Sequence, residues 1–133
     1  MPILRMEHVA CNVTEPAAIA AWYVEHLGMR IVRRVDGPPF THFLADASGA
    51  MVIEIYHNPL DEIPAYAAMH PLRFHIGFAA DDPYAARMAL MNAGATFVEE
   101  QYFADGTVLL MMRDPWGLAL QLCKRADPLP PAR

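Results

Sequence analysis

The 133-residue chain has only two cysteines, no surplus of positive charge and no long apolar run. Cys11 and Cys123 form no zinc-type spacing, and such sparse usage points to a reduced, cytoplasmic setting. Ten Lys and Arg against fifteen Asp and Glu give a net charge of −5, so neither nucleic acid nor an anionic membrane is an expected partner. No stretch is long enough to span a bilayer, and no cationic, small-residue leader is expected. A phosphate-binding glycine loop, a nucleophile elbow and a basic–aromatic strip are also missing. What is there is apolar: 55% hydrophobic residues and 19% charged, which reads as one globular domain with a real core. Twelve prolines fall mostly in turns and linkers. Three of them lie in the tail from Ala126 to Arg133, which is expected to fray.

The chain repeats itself. Thr14-Glu15-Pro16 opens one helical pattern, through "AAIAAWYVEHL" to Gly28, and Asp81-Asp82-Pro83 opens another, through "YAARMALMNA" to Gly94. In each a cap-forming residue precedes a first-turn proline, and the glycine stands where a left-handed C-terminal cap is expected. Pro16 and Pro83 differ by 67, as do His8 and His75 in the preceding strands. Three strand-like runs follow each helix, and the last of each follows a turn, "DASG" or "DPWG". Inside those last runs Glu54 and Gln121 again differ by 67. The pattern predicts an α+β fold of two βαβββ modules, residues 5–58 and 72–125, joined by a proline-bearing linker at 59–71.

Strand side chains alternate between faces, so each polar residue can be read with its neighbours. His8 shares a face with Ala10 and Asn12, His75 with Gly77 and Ala79, Glu54 with Val52 and Tyr56, and Gln121 with Ala119 and Cys123. The opposite faces are bulky and suit packing under a helix. An unpartnered buried amide such as Gln121 would cost roughly 2–7 kcal/mol, so it needs something to meet. Two imidazoles, a carboxylate and an amide oxygen on matched, small-residue faces make a divalent-metal set. Against this, a single His or Gln in a strand is more often a satisfied structural residue; the common offset favours the metal. His26 reads as a surface residue favoured by the helix dipole. Spacing does not decide among His42, His57 and His70, and Cys123 reads as a structural thiol.

On "EHVACNV", "WYVEHLGMRIV", "MVIEIYHN", "FHIGF" and "DPWGLALQL", about residues 5–125, the sequence resembles the vicinal oxygen chelate superfamily, which includes glyoxalase I, bleomycin-resistance proteins and extradiol dioxygenases. The resemblance is nearest to glyoxalase I. It implies paired βαβββ modules curving into a half-open barrel around a central cavity, often as a homodimer. It also implies one divalent ion (nickel, zinc, manganese or iron) held by His8, Glu54, His75 and Gln121.

The bacterial glyoxalase pattern has a glutamate where this chain has Gln121, and Gln121 cannot serve as a base. Glu54 is therefore the expected base as well as a ligand, removing a proton from carbon beside a chelated oxygen. The loss of that fourth carboxylate disfavours an extradiol dioxygenase. Asn12 stands where glyoxalase I has a glutathione-binding arginine, and Asn58 where it has an asparagine. With Tyr56 these are the expected substrate-binding residues. Losing the arginine predicts weak or no lactoylglutathione formation and a more apolar carbonyl or hydroxy-acid substrate. The expected function is a glyoxalase-type lyase or isomerase acting on a small oxygen-chelating substrate. The alternative is a metal-free protein that sequesters a small molecule, as bleomycin-resistance proteins do.

Overall fold

The computed structural model describes residues 1–129. Among them the chain forms β1 (Val9–Asn12), α1 (Pro16–Leu27), β2 (Arg30–Arg34), β3 (His42–Ala45) and β4 (Val52–Tyr56). After a 3-10 turn at Tyr66–Ala68 come β5 (Ile76–Ala79), α2 (Pro83–Asn92), β6 (Thr96–Tyr102), β7 (Val108–Arg113) and β8 (Ala119–Lys124). The last four residues of the proline tail lie outside the described residues. The chain divides into two compact units, one ending at Pro64 and the other starting at Ala65.

Each unit is a βαβββ module, and its four strands form one mixed sheet, in the order β1-β4-β3-β2 or β5-β8-β7-β6. The parallel pairing repeats residue for residue: Ala10 faces Glu54 across β1 and β4, and Gly77 faces Gln121 across β5 and β8. A β-bulge recurs too, at Ile31/Arg33 in β2 and at Phe97/Glu99 in β6. The fold is α+β with two βαβββ modules, as the repeat predicts.

The helices follow from their apolar spacing. Pro16, Ile19, Ala20 and Tyr23 fall at i, i+3, i+4 and i+7, the stripe an amphipathic helix lays on a sheet, and all four are buried. Pro83 and Leu90 are their counterparts in α2. Beneath them lie Leu44 and Ile55 in the first unit and Leu110, Met112, Leu118 and Leu120 in the second, each at most 1% exposed. Fully burying one such side chain stabilises the fold by roughly 1.5–3 kcal/mol. Gly28 and Gly94 take positive φ, 68° and 105°, just beyond the helices. The N-termini differ: Asp82 accepts a hydrogen bond from Ala85 N–H at 3.0 Å, whereas Glu15 makes no side-chain cap bond, so the expected cap of α1 is absent.

The second half of the expected linker is not a free connection. Arg113 donates to the carbonyls of Tyr66 (2.9 Å), Met69 (2.7 Å) and Gly117 (2.9 Å), tying the 3-10 turn to the second unit. Both sheet-entry turns close on an aspartate. Asp46 accepts from Ser48 Oγ and Met51 N–H, and buried Asp114 from the N–H groups of Trp116 and Leu118. These turns fix where β4 and β8 begin, and so which side chains share Glu54's and Gln121's faces.

Candidate functional site

In the first unit β1 and β4 run parallel and bring His8 and Glu54 together. His8 Nε2 lies 3.1 Å from Glu54 Oε2, and His8 Nδ1 lies 2.9 Å from Glu7 Oε1. Both ring nitrogens thus face carboxylate oxygens. An imidazolium satisfies the pair by donating twice; a cation sharing Nε2 and the Glu54 carboxylate satisfies it equally well. Phe43 packs edge-on against the His8 ring, centroids 5.9 Å apart, and limits its swing.

Asn12 and Asn58 are also brought together, as a clamp. Asn12 Nδ2 donates to Asn58 O at 3.0 Å, and Asn58 N–H donates to Asn12 Oδ1 at 2.8 Å. Tyr56 pairs with Asn12 in the sheet and is half-buried on the Glu54 face. His57 donates from Nδ1 to Val13 O at 2.9 Å, and buried His42 to Phe40 O at 2.7 Å, so both stitch backbone. His26 sits in the last turn of α1, with its ring 5.1 Å from that of Trp22.

In the second unit His75 and Gln121 line one cavity of about 590 Å³, with Gly77 and Ala79 as its small-residue floor and Lys124 and Arg125 at its edge. His75 Nδ1 donates to Pro71 O at 2.9 Å, which leaves the Nε2 lone pair for a ligand. The carbonyl that orients this ring belongs to the last residue of the expected linker. Cys123 Sγ approaches Gln121 Oε1 at 3.4 Å, a weak donor that leaves the amide oxygen a second lone pair.

The donor set suits a divalent ion: two imidazoles whose Nδ1 atoms are tied to oxygens, one carboxylate and one amide oxygen. The first unit places His8 beside Glu54, and the second places His75 and Gln121 on one cavity. Among the described residues no three His, Cys, Asp or Glu side chains gather into a metal-holding group.

The cysteines are shielded. Burial pushes the Cys11 thiol up to about 11, and burial, partly offset by the Arg125 charge, also raises that of Cys123. Only the thiolate alkylates readily, so both should react slowly with iodoacetamide at pH 8, and half-buried Cys123 before buried Cys11. Peptide mapping of a time course checks the order.

The sequence reading missed two charged residues on these faces. Following the register across each sheet, Ala10, Glu54, Phe43 and Arg33 form one cross-strand row, and Gly77, Gln121, Met111 and Glu99 the corresponding one. Arg33 and Glu99 both follow the bulges.

Comparison with known proteins agrees with this architecture. Residues 5–122 match the family described as the glyoxalase/bleomycin resistance protein/dioxygenase superfamily. Among solved structures, a glyoxalase family protein from Bacillus cereus has a TM-score of 0.72 at 19% identity, over 92% of this chain and 95% of that one. A glyoxalase I mutant from Zea mays has a TM-score of 0.68 at 25% identity; the match covers 92% of this chain but 46% of the maize one. An antibiotic-binding protein from Streptomyces sp. CB03234 has a TM-score of 0.69 at 16% identity, over 92% and 97% of the two chains. No curated protein matches the sequence. With its two βαβββ modules and a match over residues 5–122, this chain belongs to the glyoxalase/bleomycin resistance protein/dioxygenase superfamily.

Proposed function

We propose that the protein is a metal-dependent lyase or isomerase of the glyoxalase type, acting on a small oxygen-chelating substrate and working as a homodimer in the cytoplasm. The observation that carries this reading is the 3.1 Å approach of His8 Nε2 to Glu54 Oε2, with His75 and Gln121 held at the repeat-related positions. His8, Glu54, His75 and Gln121 would hold one nickel, zinc, manganese or iron ion. Such an ion acts as a Lewis acid that makes a C–H next to a chelated oxygen more acidic.

The remaining chemistry belongs to the chain. Glu54 accepts the proton from that carbon and returns it to the neighbouring one, an internal transfer that balances without an oxidant. Gln121 binds without exchanging protons, because an amide oxygen is no base at neutral pH. Asn12 and Asn58 hold each other and close the end of β1 onto β4, which sets one wall of the substrate space next to Tyr56. Gly77 and Ala79 leave room above the second sheet for a substrate body.

A second reading has its own support. The fold likeness to an antibiotic-binding protein, together with the amide at position 121, fits a metal-free protein that sequesters a small molecule. Metal content separates the two. Protein purified without refolding or chelator should carry close to one equivalent of a divalent ion by elemental analysis, and the His8→Ala, His75→Ala double variant very little. Equal metal in both would defeat the enzyme reading and leave sequestration.

A further inference from the structure

The cavity containing His75 is not the only space beside Gln121. On the other side, toward β6, lies a smaller recess of about 80 Å³. Val98, Leu109 and Met111 supply its apolar wall, and Glu99 and Gln101 reach in from the edge strand β6. That volume is several times the roughly 10–15 Å³ a single water requires by a comparable measure, but too small for a drug-sized ligand. It fits a headgroup.

Glu99 carries the one formal charge among the residues lining this recess. Its neighbour Glu100 points to the other face of the sheet, where Tyr84 Oη donates to it at 2.8 Å and Arg87 lies 3.9 Å away. The Glu99 side chain has no ion pair or hydrogen bond among the described residues, while its backbone pairs with Met111. Glu99 is exposed at the rim of the recess, so its carboxylate is held by water alone and is open to a cation that offers charge-assisted hydrogen bonds. Glu99 stands two strands from Gln121, in the same cross-strand row. At ordinary strand spacing that is about 9–10 Å, too far to share an ion with Gln121 but within one small substrate's length.

We propose that this recess is a subsite for a primary ammonium group, with Glu99 as its charge partner and Gln101 as a second acceptor. The ligand class is then a small apolar molecule bearing an amine, its amine in the recess and its oxygens toward Gln121. This names the ligand for the site proposed above, and rests on that reading only through the shared Gln121.

The test uses the full chain, stripped of metal, so that it stands apart from the metal assay. Butylamine, butanol and butyrate are titrated at pH 7.5 into protein labelled at its methionine methyl groups, and Met111 is followed by NMR after assignment with Met111→Leu. Butylamine should shift the Met111 methyl saturably, with butanol weaker and butyrate without effect. Glu99→Gln, a change on an exposed strand, should weaken butylamine by about tenfold or more, the loss of one charge-assisted contact. Butyrate binding as well as butylamine, or butylamine binding equally to Glu99→Gln, would overturn the subsite whatever the metal content. Retained amine preference, together with equal metal in the protein as purified and in its His8→Ala, His75→Ala variant, would keep the subsite and remove the enzyme reading.

Discussion

Gly117→Ala is expected to lower the stability of the second unit by about 2–6 kcal/mol, a large part of the 5–15 kcal/mol that holds a typical domain together. Gly117 has a φ of 96°, and an added Cβ would stand 2.5 Å from Ala67 Cβ, 2.6 Å from its Cα and 2.7 Å from its N. Two penalties therefore combine. A side chain at this φ is strained by roughly 1–3 kcal/mol, and overpacking against the 3-10 turn adds a similar amount. The turn cannot retreat freely, because Arg113 holds the carbonyls on either side of Ala67. Gly49→Ala is the control. Gly49 ends the corresponding turn with a φ of 76°, but the nearest atom to its added Cβ is Arg30 Nη2, the end of a flexible side chain, at 3.8 Å. It should lose only the strain term. Thermal unfolding of both variants compares them, and equal losses would mean that the Ala67 contact is relieved at no cost.

Glu54→Gln is expected to reduce turnover by about 10²–10⁴-fold while much of the bound metal is retained. Glutamine keeps an oxygen that can coordinate but cannot take up a proton at neutral pH. The reaction can be followed without knowing the product. A panel of α-hydroxy ketones and hydroxy acids incubated in D2O reports proton removal as C–H to C–D exchange by NMR. Wild-type exchange on a panel member should vanish in Glu54→Gln and persist in Glu25→Gln, which removes an exposed carboxylate on α1 and leaves the proposed base in place. Exchange that survives Glu54→Gln would move the base elsewhere, with Tyr56 the next group on that face.

Much of this protein was legible in its sequence because the strand faces are a local property. Alternation depends on backbone geometry alone, so each polar residue could be read with its same-face neighbours strand by strand, His8 with Ala10 and Gln121 with Ala119, whereas the pairings Ala10–Glu54 and Gly77–Gln121 came from the structure. The 67-residue offset carried the two-module fold, since the helix-opening prolines, the strand histidines and the positions of Glu54 and Gln121 all recur at that distance. One local expectation failed: Glu15, at the N-cap of α1, makes no side-chain cap bond.

Tertiary structure alone decided three things. The bulges in β2 and β6 each add a residue and so reverse the in–out parity beyond them, which is why alternation did not place Arg33 and Glu99 on the same faces as Glu54 and Gln121. Asn12 was readable as a residue on the site face, but its partner in the backbone at Asn58 lies 46 positions away. The docking of the linker depends on contacts from Arg113 to carbonyls 44 and 47 positions away, which leave no local periodicity. Local geometry thus sets which way a side chain points, while partners distant in the chain set what it meets.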